Sequence, residues 1–167
     1  MVDLNRESVL ANIEIPELRT AFTFRHRPVP VPADLRPIWR IALIVLLLRK
    51  CCRQGRTSIA RLHVLSWGLR TDESREQLRA ASDGKLSPDA LIVRFEPFLS
   101  LAIDFALAEG VVARDGGDRV VLTAAGNSFA DEIEANSEVL AQEKEFMGLI
   151  KQKITEVMVK QMFGWEA

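Results

Sequence analysis

The sequence predicts a mainly α, α+β fold in which one small β-hairpin is set among helices. Apolar residues recur at helical spacing over most of the chain after residue 36. Residues 111–114 and 119–122 are β-branched runs joined by Asp115-Gly-Gly-Asp118, whose glycines supply the positive φ of a tight hairpin. With 167 residues, 48% of them hydrophobic, the chain can bury one core of ordinary size. We therefore expect one domain with extensions.

The first 35 residues are interpreted as an N-terminal arm and a Pro-rich linker. Residues 1–18 are mostly polar and receive no assignment, and residues 21–24 can form a short strand. The repeated X-Pro steps of residues 25–32 favour extended backbone, because proline excludes the helical region for the residue before it. No basic stretch followed by an apolar run and a cleavage site is present, so no secretory signal is expected.

Two helices should follow the linker. Asp34 can cap the first, Pro37 suits its first turn, and its all-round apolar character up to Lys50 predicts a central, buried helix. After the break at Gln54-Gly-Arg56, Thr57 or Ser58 can cap a second helix over residues 59–69. A charged helix over 71–81, a loop over 82–88 and a strand over 91–95 are expected next.

A third core helix should span residues 97–109 and stop at Gly110. After the hairpin, Thr123 caps a further helix, and residues 127–163 suggest one long helix or two abutting ones. One set of large apolar side chains is expected to share the core: Trp39, Leu43, Leu46, Leu62, Trp67, Phe98, Leu101, Phe105 and Leu122.

The end of the third core helix, the hairpin and the helix after it carry a resemblance. The order Ala108-Glu-Gly-Val-Val, hairpin and Leu122-Thr-Ala-Ala-Gly resembles the last helix and wing of a winged-helix domain. The winged-helix-like domain then spans residues 36–135, followed by a C-terminal helical extension over 136–167. Two features depart from DNA-reading members. A long insert separates helices 2 and 3, and helix 3 has an acidic stripe of Glu96, Ser100 and Asp104, which a phosphate-walled groove would repel.

The net charge of −1 conceals a strong asymmetry along the chain. Residues 19–70 carry a net +10, residues 71–167 a net −8 and residues 1–18 a net −3. A basic half indicates nucleic acid or an acidic protein partner, and the alternative is internal pairing between the two halves. The candidate contacts for such a partner are Arg53, Arg56, Arg61, Arg114 and Arg119.

An apolar stripe lies in the C-terminal extension. It can fold back on the domain, or it can form a dimer or partner-binding face, which methionines and a terminal tryptophan suit. We assign partner binding to Met147, Ile150, Ile154, Met158, Phe163 and Trp165.

Together with the apolar helices near 39–48 and 58–70 and the motif Arg94-Phe-Glu-Pro-Phe-Leu, this order resembles the middle component of bacterial three-component ABC systems, which include Lamassu-type defence. The resemblance covers about residues 36–135. It implies a non-enzymatic winged-helix subunit that binds an SMC/Rad50-like ATPase and helps to hold a nuclease or other effector. A winged-helix transcription regulator, which would bind duplex DNA as a symmetric dimer, is the alternative.

No motif for catalysis, a metal or a cofactor is found. His63 lies on an apolar helix, and the adjacent pair Cys51 and Cys52 has neither zinc-ligand spacing nor a base histidine, although Arg49 and Lys50 could lower a thiol pKa. The longest apolar run, residues 38–48, contains an arginine and is too short to cross a bilayer. We expect a cytoplasmic protein without cofactor.

Overall fold

α1 (Pro37–Cys51) lies at the centre of the fold, which a computed structural model describes for residues 36–165. Ten of its fifteen residues are buried, and it packs against four other helices. Its central position confirms the prediction drawn from its apolar character. The residue at the N-cap position is Arg36 rather than Asp34, which lies with the rest of the N-terminal arm outside the described residues.

The remaining elements within residues 36–165 are mainly helical, as predicted, and include one three-stranded sheet. They are β1 (Arg56–Ser58), α2 (Ile59–Trp67), α3 (Asp72–Ser82), α4 (Pro97–Ala108), β2 (Val112–Arg114), β3 (Arg119–Leu122), α5 (Ala124–Ala135), α6 (Ala141–Ile150) and α7 (Glu156–Met162). Short 3-10 turns occupy Arg53–Gly55 and Pro88–Ala90. None of the helices described is both long enough and apolar enough to cross a membrane.

The sheet has the strand order β1-β3-β2, and both pairings are antiparallel. β2 and β3 form the predicted hairpin, with Gly116 and Gly117 at positive φ in its turn. β1 was not predicted. The expected helix caps Thr57 and Ser58 lie in it, paired with Val120 and Arg119, and Ser58 still caps α2 by accepting a hydrogen bond from the backbone N–H of Arg61.

The sequence-based orientation of α4 was wrong. Its buried residues are Leu99, Ala102, Ile103 and Ala106, whereas Phe98, Leu101 and Phe105 are exposed. The small alanines let α4 approach α1 closely, which turns the larger side chains outward. Of the other predicted core residues, Leu43, Leu46, Leu62 and Leu122 are buried, and Trp39 and Trp67 are half-buried.

Two further segments differ from the prediction. Residues 91–96 form no strand, although Leu91 is buried. The helix expected over 127–163 is divided into α5, α6 and α7, because the backbone turns at Leu140 and Lys151, both with positive φ. These breaks let the last two helices fold back: α6 packs against α1, and α7 packs against α2.

Candidate functional site

An exposed apolar stripe runs along α4. Phe98, Leu101 and Phe105 are 58%, 49% and 42% exposed, and their spacing of three and four residues places them on one face of the helix. Two exposed carboxylates lie beside it, Asp104 on α4, which is 4.0 Å from Arg114, and Glu109 just after the helix. The α4 face, defined by these three apolar residues, is therefore apolar with an acidic edge.

A groove continues the α4 face toward the start of α1. It has a volume of about 580 Å³ and is mostly lined by apolar side chains, namely Pro37, Ile38, Ile41, Phe105, Val111 and Phe129, with Glu109 at its edge. Ile38 is 61% exposed although it belongs to the central helix. Apolar surface that is continuous across several elements is typical of contact sites for other proteins.

A second, polar cavity of about 530 Å³ lies at the start of α4. On its wall the guanidinium of Arg40 pairs with the carboxylate of Glu96 at 2.7 Å and lies 5.7 Å from the ring centre of Phe98. Phe98 thus belongs both to the α4 face and to this cavity, so the two features adjoin each other.

His63 is buried on α2, and both of its ring nitrogens have polar neighbours. Its Nδ1 accepts a hydrogen bond from the backbone N–H of Glu96 at 3.1 Å, and its Nε2 lies 3.4 Å from Ser100 Oγ. Burial lowers its pKa from the usual value, an effect that the nearby Glu96 carboxylate opposes. The ring is neutral at physiological pH and packs against Phe95 in a tilted arrangement, with ring centres 4.5 Å apart.

The adjacent cysteines are buried and free. Burial raises the pKa of Cys51 to about 12 and that of Cys52 to about 11, and this effect outweighs the lowering by the nearby cations Arg61 and Lys50. A thiol with so high a pKa is a poor nucleophile at neutral pH. Within residues 36–165, no group of three or more His, Cys, Asp or Glu side chains is placed to hold a metal ion.

The five arginines expected to contact an anionic partner do not form one surface. Arg61 is 7% exposed and donates to the carbonyl oxygen of Cys51 at 2.8 Å, so its role is structural. Arg56 is exposed but pairs with Asp115 in the hairpin, with Nη2 at 2.8 Å from Oδ1. Arg114 is exposed with the Asp104 carboxylate 4.0 Å away, and Arg53 and Arg119 are exposed with no carboxylate within ion-pair distance among the described residues.

The two hairpin arginines, Arg114 and Arg119, lie on neighbouring strands but not in paired positions. Arg114 pairs with Val120, and the backbone N–H of Asp115 donates to Arg119. Because side chains alternate along a strand, Arg114 and Arg119 lie on opposite faces of the hairpin. Arg114 Nη2 lies 4.0 Å from Asp104 Oδ1 on α4.

The C-terminal stripe assigned to partner binding is mostly core. Met147, Ile150 and Ile154 are fully buried, which contradicts their assignment as surface residues and favours the alternative that the stripe folds back. Met158 and Phe163 are half-buried, and Trp165 is 49% exposed. Phe163 stacks between Phe95 and Trp165 with ring centres 4.8 and 4.9 Å away.

The α4 face and the polar cavity were both missed by the sequence-based assignment of site residues. The signal for the α4 face was the pair Ala102 and Ala106, four residues apart, which mark the side that packs closely. For the cavity the signal was Arg40, a cation within an otherwise apolar helix, which requires a buried partner. Comparison of the chain with protein-family models, curated proteins and solved structures gives no significant match.

Proposed function

We propose that this chain is a non-enzymatic adaptor subunit that binds a protein partner through the α4 face. The observation that carries the proposal is the exposed stripe of Phe98, Leu101 and Phe105 continued by the groove at Ile38. Exposure of such an apolar helix surface to water is unfavourable, and covering it with another apolar surface lowers the free energy. The described residues offer no competing catalytic constellation.

The order of elements supports a winged-helix-like domain. Helix, strand, two helices, a third core helix and a hairpin follow in sequence, and β1 pairs with β3. In this arrangement α4 has the place of the helix that DNA-binding members insert into the major groove. Its outward side is apolar with Asp104 and Glu109 at its edge, which fits a protein surface rather than phosphates.

The partner that the resemblance implies is an SMC-like ATPase of a bacterial three-component ABC system, with a nuclease or other effector held in the same complex. In that setting the chain serves defence against phages or plasmids in the cytoplasm. The α4 face then provides the contact with the ATPase, in place of the C-terminal stripe, whose central residues are buried.

Co-expression with the SMC-like ATPase encoded by a neighbouring gene tests the proposal. Leu101→Gln removes apolar surface from the α4 face without a cost in helix propensity, and we expect it to abolish co-purification of the ATPase. Leu149→Gln is the matched control, because Leu149 is 48% exposed on α6 and Leu101 is 49% exposed. This control should retain the complex, and both variants should melt like the wild type.

Two outcomes would contradict the proposal. A Leu101→Gln chain that still retains the ATPase would exclude the α4 face, and a genome without a coiled-coil ATPase gene nearby would exclude this partner. The alternative, a transcription regulator, predicts that the isolated chain binds one duplex sequence tightly as a dimer at physiological salt. We expect instead weak binding without sequence preference that disappears as salt rises, through exposed residues such as Arg53 and Arg119.

A further inference from the structure

The polar cavity at the start of α4 is lined by residues of five helices, α1, α2, α3, α4 and α6, and of the segments that precede α3 and α4. Three arginines line it: Arg40 from α1, Arg70 just after α2, and Arg75 from α3. Its apolar wall includes Trp39 and Phe98. A volume of about 530 Å³ is within the range of pockets that take small organic molecules, and it far exceeds the space that one water needs.

Two of these arginines have donors that remain unused among the described residues. Nε of Arg40 and Nε of Arg75 are buried and have no hydrogen-bond partner. Arg40 is only 7% exposed; its guanidinium lies over the ring of Phe98 and pairs with Glu96, whose second oxygen is unpaired too. Buried polar groups in proteins nearly always have partners, and two of the arginines whose Nε donors lack one line this cavity, which points to an acceptor there.

The charge balance of the cavity favours an anion. Three guanidiniums face two carboxylates, Glu96 and Glu143, which leaves an excess of one positive charge. Glu96 is compensated by Arg40 at 2.7 Å, whereas Arg75 pairs with Asp72, whose side chain is 93% exposed, and donates from Nη2 to the carbonyl oxygen of Leu69 at 3.4 Å. An exposed carboxylate compensates a cation weakly and a carbonyl oxygen carries no net charge, so the positive charge of Arg75 is available to a ligand in the cavity.

We propose that this cavity binds a small organic oxyanion, a carboxylate or a phosphate monoester carried on an aromatic or other apolar body. The planar guanidinium fork matches both oxyanions, and the body packs on Trp39 and Phe98. This goes beyond the proposed adaptor function and does not depend on it. Because Phe98 belongs to the α4 face as well, a ligand in the cavity contacts part of the surface proposed for the protein partner.

Isothermal titration of the purified full chain tests the proposal with four probes: phenyl phosphate, benzoate, benzyl alcohol and inorganic phosphate. We expect one site for phenyl phosphate or benzoate, and the tighter of the two identifies the oxyanion. Benzyl alcohol should bind at least about tenfold more weakly, because it lacks the charge-assisted hydrogen bonds, and so should inorganic phosphate, because it lacks the apolar body.

Two variants remove cations from the cavity. Arg70→Gln and Arg75→Gln should each weaken binding by about tenfold or more, as expected for the loss of a charge-assisted hydrogen bond. Arg79→Gln is the matched control, since Arg79 lies on the same helix as Arg75 but does not line the cavity, and it should bind like the wild type. Arg70 is exposed, so its variant remains informative even where Arg75→Gln perturbs α3.

The proposal is overturned when neither phenyl phosphate nor benzoate binds, because the cavity then holds solvent only. Equal affinity for benzyl alcohol would also overturn it, as would binding that neither Arg70→Gln nor Arg75→Gln weakens. Leu101→Gln should bind the oxyanion normally while it fails to retain the ATPase. That combination separates a failure of the cavity proposal from a failure of the adaptor proposal.

Discussion

His63, Glu96 and Arg40 form one connected polar group inside an otherwise apolar region. The backbone N–H of Glu96 donates to His63 Nδ1, and the carboxylate of Glu96 accepts from Arg40 at 2.7 Å. Because Nδ1 is an acceptor here, the neutral ring carries its proton on Nε2, beside Ser100. These residues fix the start of α4, since Glu96 is its N-cap residue.

The first prediction concerns the protonation of His63. Its pKa is lowered in the folded chain by burial, so the folded state binds this proton more weakly than the unfolded state, whose pKa is near 6.5. The contribution of the neutral ring to stability is therefore complete above pH 6.5 and is lost as the pH falls below it. We expect the free energy of unfolding, measured in urea, to decrease between pH 7.5 and 5.5.

His63→Asn tests whether this residue causes the decrease. Asparagine can offer its side-chain oxygen near the position of Nδ1 and cannot take up a proton in this range. We expect a variant that is less stable at pH 7.5 but has a flatter pH dependence. His26 is present in both proteins, so its titration does not affect the comparison. An equal loss of stability in the two proteins on acidification would show that another group is responsible.

Among the secondary-structure elements, most helices and the hairpin could be predicted, because the residues that begin and end them are close together in the sequence. Pro37 and Pro97 start helices in their first turn, and Thr71 and Thr123 cap theirs. β1 was missed because three residues show no periodicity and its partner β3 is some sixty residues away in the chain. The breaks at Leu140 and Lys151 were missed because neither glycine nor proline marks them.

The orientation of α4 could not be predicted from periodicity, because apolar residues occupy nearly its whole circumference. Close packing with α1 selected the face with small residues.

The buried and exposed leucines of α4 should therefore differ in their effect on stability. Leu99→Ala should cost about 2–5 kcal/mol of unfolding free energy, because Leu99 is fully buried. Leu101→Ala should stay within about 1 kcal/mol of the wild type in urea denaturation. A larger loss of unfolding free energy for Leu101→Ala than for Leu99→Ala would instead support the orientation expected from the sequence, with Leu101 buried.

Gly126 lies in the first turn of α5, at a position with no room for a side chain. A Cβ atom there would lie 2.0 Å from the backbone oxygen of Val111 and 2.8 Å from Cδ1 of Leu122. Backbone cannot move aside as a flexible side chain can, so Gly126→Ala should destabilise the fold by about 1–3 kcal/mol. The motif Leu122-Thr-Ala-Ala-Gly thus reflects the packing of the helix on the end of the hairpin.

The control for this prediction is the glycine in α6. Gly148 has no atom within 4 Å of an added Cβ, so Gly148→Ala should stabilise the chain by about 0.5–1 kcal/mol through helix propensity. Both variants are measured by thermal and urea unfolding. A stabilising Gly126→Ala would mean that α5 does not approach Val111 this closely.

At the scale of the whole molecule, part of the charge asymmetry along the chain is compensated by ion pairs within the described residues. Arg40, Arg49, Lys50 and Arg56 from the basic half pair with Glu96, Asp131, Glu134 and Asp115 from the acidic half. This favours the alternative of internal pairing over one continuous basic surface. Summed charge could not separate the two interpretations, because it contains no information on which residues meet.

The C-terminal helices close the core that the first helices leave open. Met147 and Ile150 of α6, Ile154 of the linker and Val159 of α7 are all buried. Glu156, at the start of α7, accepts hydrogen bonds from the hydroxyl of Ser58 at 2.7 Å and from its backbone N–H at 3.1 Å. The end of the chain is therefore joined to β1 and α2 by apolar packing and by hydrogen bonds.

The last prediction follows from this closure. A chain that ends at Glu145 should lose cooperative unfolding and expose apolar surface, since several fully buried side chains are removed together. A chain that ends at Phe163 keeps these residues and is the control, which should unfold cooperatively near the wild-type midpoint. Urea unfolding followed by the fluorescence of Trp39 and Trp67, present in both, measures the difference. A soluble, cooperatively unfolding chain of 145 residues would show that α6 and α7 are dispensable, and would return the C-terminal stripe to consideration as a partner-binding surface.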